Sequence, residues 1–383
     1  MNILHVITDL DRGNTQKQLR LLAIELQKRE VDQQIICLGK PGLNTGLLEN
    51  AGIPVLHLNI THPVKFYKLW STAVKQLGKF DMVCGWMYYG CFAAHYFHRK
   101  YFFQSPLVMN IRDSFNKDTD FRGIAGKIIQ KVARLSSHAD MVIYSSEKNQ
   151  KNHEKEGYSS NGIVIPNGYD LESYDRDRKS TLEYKRRYRF DRFRTVFISV
   201  GDFNDSADFP SLLQAMQMNL ESRDDSLFVL AGIGVDNQNR ILRATLSDSA
   251  MERIWLLGDR GDVQQLLLAS DYFVYSSKQE VPLDAVGEAM CAGLPCIVTD
   301  VGDAGFLVGN KGEVVPPNAT VRMASAIAMF DTQTAEQKKA AKERVLERVR
   351  MLFSMAGVAD QYHQRFLDLI QSEVSDSKPL PGT

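Results

Sequence analysis

Short β-branched runs recur along this chain, each followed by a helical stretch or a turn. NILHVIT, QQIICLG, PVLHLNI, MVCGW, PLVMNI, DMVIYSS and GIVIPNG occupy the first half, and TVFISVG, SLFVLAG, RIWLLG, YFVYSS, PCIVTDVG and GEVVPP the second. Between them lie stretches such as QKQLRLLAIELQKRE, whose apolar residues return at helical spacing. That alternation predicts parallel sheets covered by helices. The rhythm pauses at the charged stretch ESYDRDRKSTLEYKRRYRFDRFR and then restarts, so two doubly wound α/β units are expected, joined near residues 168 to 193. With 383 residues the chain exceeds the ~250 to 300 at which one core usually divides. The expected domains are 1–170 and 171–356. A helix over 357–373 is expected to pack back on the first, and the tail 374–383 to be disordered. In such folds ligands sit at the carboxyl ends of the strands, and two facing units make a cleft.

Zero net charge argues against a nucleic-acid binder. It hides an asymmetry: residues 1–165 carry 21 Lys and Arg against 14 Asp and Glu, and the remainder 25 against 32. The basic half would turn toward an anionic partner or surface. HPVKFYKLWSTAVKQLGKF sets Lys65, Lys68 and Lys75 beside Phe66, Tyr67 and Trp70, and HYFHRKYFFQ repeats the mixture, which suits an anionic lipid surface unless those aromatics are core. No run reaches the ~20 apolar residues of a membrane span, and the start lacks a secretion signal, so the expected location is the cytoplasm, peripheral at the inner face of the cell membrane. The five cysteines include no C-x-x-C pair and read as buried thiols. The histidines lack H-E-x-x-H spacing, His153 reads as structural, and neither metal nor cofactor is expected.

The stretch SSKQEVPLDAVGEAMCAGLPCIVTDVGD, residues 276–303, concentrates the chemistry. Pro282 suits the first turn of a helix and Gly293 its end, which places Glu280 in the entry loop and Glu288 on the helix. Main-chain N–H groups at such a helix start favour an anion such as a diphosphate. A carboxylate on the helix can accept two ribose hydroxyls, and one in the loop can hold sugar hydroxyls.

Two glutamates eight residues apart followed by EAMCAGLP and a strand resemble the donor-site signature of the retaining family 4 glycosyltransferases, whose architecture is GT-B. ILHVITDLDRGNTQKQLRLLAIEL, NAGIPVLHL, HADMVIYSS, VIPNGYD, LLGDRGDV and GEVVPPNA are similar to its other segments. The resemblance implies a metal-independent hexosyltransferase of surface polysaccharide synthesis. Its donor would be a UDP- or GDP-linked sugar, and its acceptor a polyprenyl-linked or growing glycan. It further implies Glu280 on the sugar, Glu288 on the ribose, and Gly13, Asn14 and the stretch Val281, Pro282 and Leu283 near the diphosphate. Arg260 would lie at the base, and Arg112, Asp113 and the group Trp86 to Tyr89 on the acceptor side.

The chain departs from that pattern where the family carries an Arg and a Lys against the diphosphate: VGDFNDSADFP puts Asp202 and Ala207 there. Asp113 replaces a usual His, Asn14 a second glycine, and Asp284 an amide. Lys278 is the candidate replacement cation, its alternative being a solvated surface lysine. These departures keep open a second reading, a noncatalytic partner subunit that retains the fold within an assembly complex.

Overall fold

A computed structural model describes residues 1–60, 77–112, 123–223, 225–279 and 283–376, in two compact units. The first comprises Met1–Gly168 and the chain's end from Phe353, the second Tyr169–Leu352.

Unit 1 contains β1 (Asn2–Ile7), α1 (Asn14–Gln27), β2 (Asp32–Cys37), α2 (Leu43–Asn50), β3 (Val55–His57), β4 (Met82–Trp86) and α3 (Met87–Tyr101). It continues through β5 (Leu107–Ile111), α4 (Gly123–Leu135), β6 (Met141–Tyr144), α5 (Glu147–Lys155) and β7 (Gly162–Val164). All seven strands run parallel in the order β3-β2-β1-β4-β5-β6-β7. Alternate residues of β1 feed opposite faces, as the two-residue strand period requires. Ile3 shares one hydrophobic core with Leu19, Leu22 and Leu26 of α1, while Leu4 and Val6 share the other with Ala93, Ala94 and Phe97 of α3. Each buried Ile, Leu, Val or Phe among them contributes roughly 1.5–3 kcal/mol. At the start of α5, the Ser146 hydroxyl accepts the Asn149 N–H at 2.9 Å, which satisfies one otherwise orphaned donor.

Unit 2 contains α6 (Leu171–Asp177), α7 (Thr181–Arg187), β8 (Thr195–Val200), α8 (Phe209–Ser222), β9 (Ser226–Ala231), α9 (Arg240–Thr245), α10 (Asp248–Met251) and β10 (Ile254–Leu256). After these come α11 (Val263–Ala269), β11 (Tyr272–Tyr275), α12 (Asp284–Cys291), β12 (Cys296–Thr299), α13 (Ala304–Val308), β13 (Glu313–Val315), α14 (Thr320–Asp331) and α15 (Ala335–Leu352). Its six parallel strands follow the order β10-β9-β8-β11-β12-β13. Phe197 stacks on Phe228 and Tyr272, with ring centroids 5.0 and 5.3 Å away.

All thirteen runs named from the sequence are strands. The charged stretch is folded: α6, α7 and the turn after them belong to unit 2. Lys185 pairs with Asp271 at 2.8 Å, and the Tyr188 hydroxyl donates to Asp262 at 2.7 Å. The final helix, α16 (Met355–Asp376), packs on α1 through Val358, Tyr362 and Phe366. All five cysteines are buried, and none is in a disulfide.

Candidate functional site

In unit 2 the strand order reverses between β8 and β11, and crevices in open parallel sheets form at the carboxyl ends of the strands on either side of such a reversal. A pocket of about 360 Å³ opens there, lined by the loop after β8, the end of β11 and the start of α12.

The loop after β8 is shaped locally. Asn204 Oδ1 accepts the N–H groups of Ser206 at 2.9 Å and Ala207 at 3.1 Å, an Asx turn that returns the chain toward β11. Ala207 then bridges Ser277 in antiparallel fashion, the Lys278 N–H donates to Ser206 O at 2.8 Å, and the Asp208 N–H to Ser276 O at 3.1 Å. Asp202 lines the pocket, and its Oδ1 accepts the Ile233 N–H at 2.9 Å. The bond holds the loops after β8 and β9 together where they nearly touch. Gly232 has φ +153, and a Cβ there would stand 2.0 Å from Gly201 O.

No Lys or Arg is among the described lining residues, while Asp202 and Asp284 are. The burial of Tyr275, beside the Asp284 charge, pushes its hydroxyl up to about 12. Lys278 follows the lining segment directly, with Nζ 3.8 Å from Asp208 Oδ1. Asp208 precedes α8 and is 2% exposed, and its Oδ2 has no hydrogen-bond partner among the described residues.

α12 carries Asp284 and Ala285 on the pocket wall, and Glu288 lies one turn further along the same face. The half-buried Glu288 adds its charge to the burial that raises the Tyr174 hydroxyl. Gly293, at φ +85, follows the helix end, and Arg178 donates to the terminal carbonyls of Cys291 and Ala292 at 2.8 and 3.0 Å. Leu283 is the residue before the helix.

Arg260 is committed elsewhere. Nε and Nη2 bind both oxygens of Asp262 at 2.8 and 2.7 Å, and the guanidinium holds that carboxyl below the usual carboxylate range. It is not on the described pocket wall.

The remaining described candidates lie in unit 1. Gly13 is extended and exposed, and Asn14 opens α1 with its Oδ1 buried and lacking a partner among the described residues. Arg112 is 3% exposed and points inward. It donates to Asn167 Oδ1 at 3.1 Å, and to Ile165 O and the Tyr362 hydroxyl at 2.9 Å each. Tyr362 in turn donates to Asn110 Oδ1 at 2.7 Å. Arg112 thus ties β5 to the 165–167 turn and to α16. Trp86 is buried and donates to His5 Nδ1 at 3.1 Å, while Tyr88 bonds His153 at 3.0 Å. Glu280, Val281, Pro282 and Asp113 lie outside the described residues, as does the segment with Lys65, Lys68 and Lys75.

Asp208 was missed by sequence reasoning. The D-F-P at the start of α8 is a helix-start signal, but nothing local announces that the carboxylate is buried. Among the described residues no group of three or more His, Cys, Asp and Glu could hold a metal, and no helix is long and apolar enough to cross a membrane.

Residues 194–330 match the family of glycosyl transferases group 1. The chain is 33% identical over 156 residues to a UDP-Gal:alpha-D-GlcNAc-diphosphoundecaprenol alpha-1,3-galactosyltransferase of Escherichia coli, covering 39% of each protein. It is 24% identical over 199 residues to an N-acetyl-alpha-D-glucosaminyl L-malate synthase of Bacillus anthracis, covering 51% of each. The chain thus spans about two fifths to one half of these curated relatives. Its fold is similar to that of HepE from Anabaena, solved with UDP, at a TM-score of 0.80 and 19% identity over 96% of this chain and 100% of that one. Two parallel sheets with flanking helices, matched over that span, make this the GT-B fold.

Proposed function

We propose, with the glycosyl transferases group 1 domain over residues 194–330 as premise, that this chain moves a hexose from a UDP-linked donor to a polyprenyl-diphosphate-linked glycan. The observation that carries this reading is the pocket at the β8/β11 reversal, with Glu288 one turn along α12 from its wall. Uridine is favoured as the base because the Escherichia coli relative is named for UDP-Gal and HepE was solved with UDP.

Glu288 is assigned to the ribose hydroxyls, Glu280 to the sugar, and the main-chain N–H groups near Val281 to Leu283 to the diphosphate. Asp113 is assigned to the acceptor side, with Arg112 holding the end of β5 from within. The bond from the anomeric carbon to the diphosphate oxygen breaks as the acceptor oxygen bonds that carbon from the same face. The acceptor's proton passes to the departing diphosphate, so configuration is retained without a protein nucleophile. Amide dipoles supply part of the neutralisation, and the reading calls for no metal ion.

Calorimetric titration with UDP, GDP and their sugar conjugates, with and without Mg²⁺, tests the reading. The expected result is submillimolar, metal-independent UDP binding that Glu288→Ala removes. The competing reading, a noncatalytic partner subunit, draws on the carboxylates Asp202 and Asp284 in a pocket wall without a described cation. Absence of binding by every nucleotide would select it.

A further inference from the structure

We propose that Lys278, positioned by the buried Asp208, is the residue that makes this pocket prefer a diphosphate-bearing ligand over the corresponding nucleoside. This rests on reading the pocket as the nucleotide-sugar site.

Three observations carry it. First, the wall is acidic: Asp202 and Asp284 line it and no described lining residue is cationic, so a diphosphate meets net repulsion unless a neighbour supplies positive charge. Second, Lys278 is attached to that wall. It continues the lining residues Tyr275 to Ser277, and its N–H bonds the lining residue Ser206. Its Nζ stands 3.8 Å from a carboxylate whose chain neighbours, Ala207 and Phe209, also line the pocket. Third, Asp208 is under-satisfied. A buried carboxylate with one oxygen lacking a partner among the described residues, and the other facing an ammonium beyond hydrogen-bond reach, is costly and calls for an explanation.

Positioning explains it. The buried negative charge holds the ammonium beside a residue flanked by the lining residues Ala207 and Phe209, while the lysine side chain, 44% exposed, keeps donors open to an incoming anion. The cation absent from the loop after β8 is thus supplied by the loop after β11, which the Ala207–Ser277 bridge brings alongside.

The test is calorimetry with UDP and uridine on the full chain, the Lys278→Ala variant and the Asp208→Asn variant. Lys278→Ala should weaken UDP about tenfold to a hundredfold and leave uridine unchanged. Asp208→Asn should weaken UDP selectively but by less. If Lys278→Ala shifts UDP and uridine alike, or shifts neither, the proposal is overturned while the nucleotide-sugar reading stands. If the wild-type chain binds neither probe, that reading fails and this one with it. Should Asp208→Asn not fold, the Lys278→Ala comparison decides alone.

Discussion

Gly287 lies against the ring of Tyr169: a Cβ at 287 would stand 2.0 Å from Cζ of that ring. Tyr169 is 4% exposed, and Gly287 immediately precedes Glu288 on α12. Only a residue without a side chain lets the helix backbone rest on the ring. The depth of α12, and therefore where the Glu288 carboxylate is presented, is set by a residue more than a hundred positions away.

Gly287→Ala should therefore destabilise unit 2 although alanine suits helices better. Overpacking costs about 1–3 kcal/mol, against a propensity gain of about 1 kcal/mol. A lowered melting temperature with weakened UDP binding is expected, and Tyr169→Leu in the same chain should recover part of both. An unchanged melting temperature would refute the contact.

Arg112→Met should cost about 2–4 kcal/mol in urea unfolding, because Ile165 O and Asn167 Oδ1 lose buried charged donors. Arg112→Lys should recover little, since an ammonium cannot span the fork from Asn167 to Tyr362. Wild-type stability in Arg112→Lys would contradict this duty.

Stability should fall as the solution is acidified. Burial lowers His5 and His153 from 6.5 to about 4 each. The folded state therefore holds both rings neutral, and below 6.5 the unfolded chain takes up protons that the folded chain refuses. Their contribution is complete above 6.5 and is lost as pH falls toward 4, at about 1.4 kcal/mol per pH unit for each histidine. Urea midpoints across that range should slope accordingly, and His153→Gln should flatten the slope. A flat wild-type profile would show that neither ring is held neutral.

Asp202→Arg with Ala207→Lys should raise UDP affinity about tenfold by replacing a carboxylate with two cations beside the pocket. It should also cost about 1 kcal/mol of stability, because the Ile233 N–H loses its acceptor. Unchanged UDP affinity would mean that the diphosphate is not held at these positions.

Thirteen strands, the stop at Gly293 and the helical setting of Glu288 were all legible in the sequence, because each depends on neighbours within a few residues. Apolar runs report strands buried on both faces, and a glycine after a helix reports a positive φ. Three-dimensional packing settled what depends on distant partners. Arg112 is drawn inward by Tyr362, 250 residues away, and the charged 171–193 stretch folds onto unit 2 through Asp262 and Asp271. Lys278 meets Asp208 because the loops after β8 and β11 pair. The physical reason is that local patterning sets which segments are strands and helices, whereas the direction of a charged side chain depends on which counter-charge the finished fold brings near.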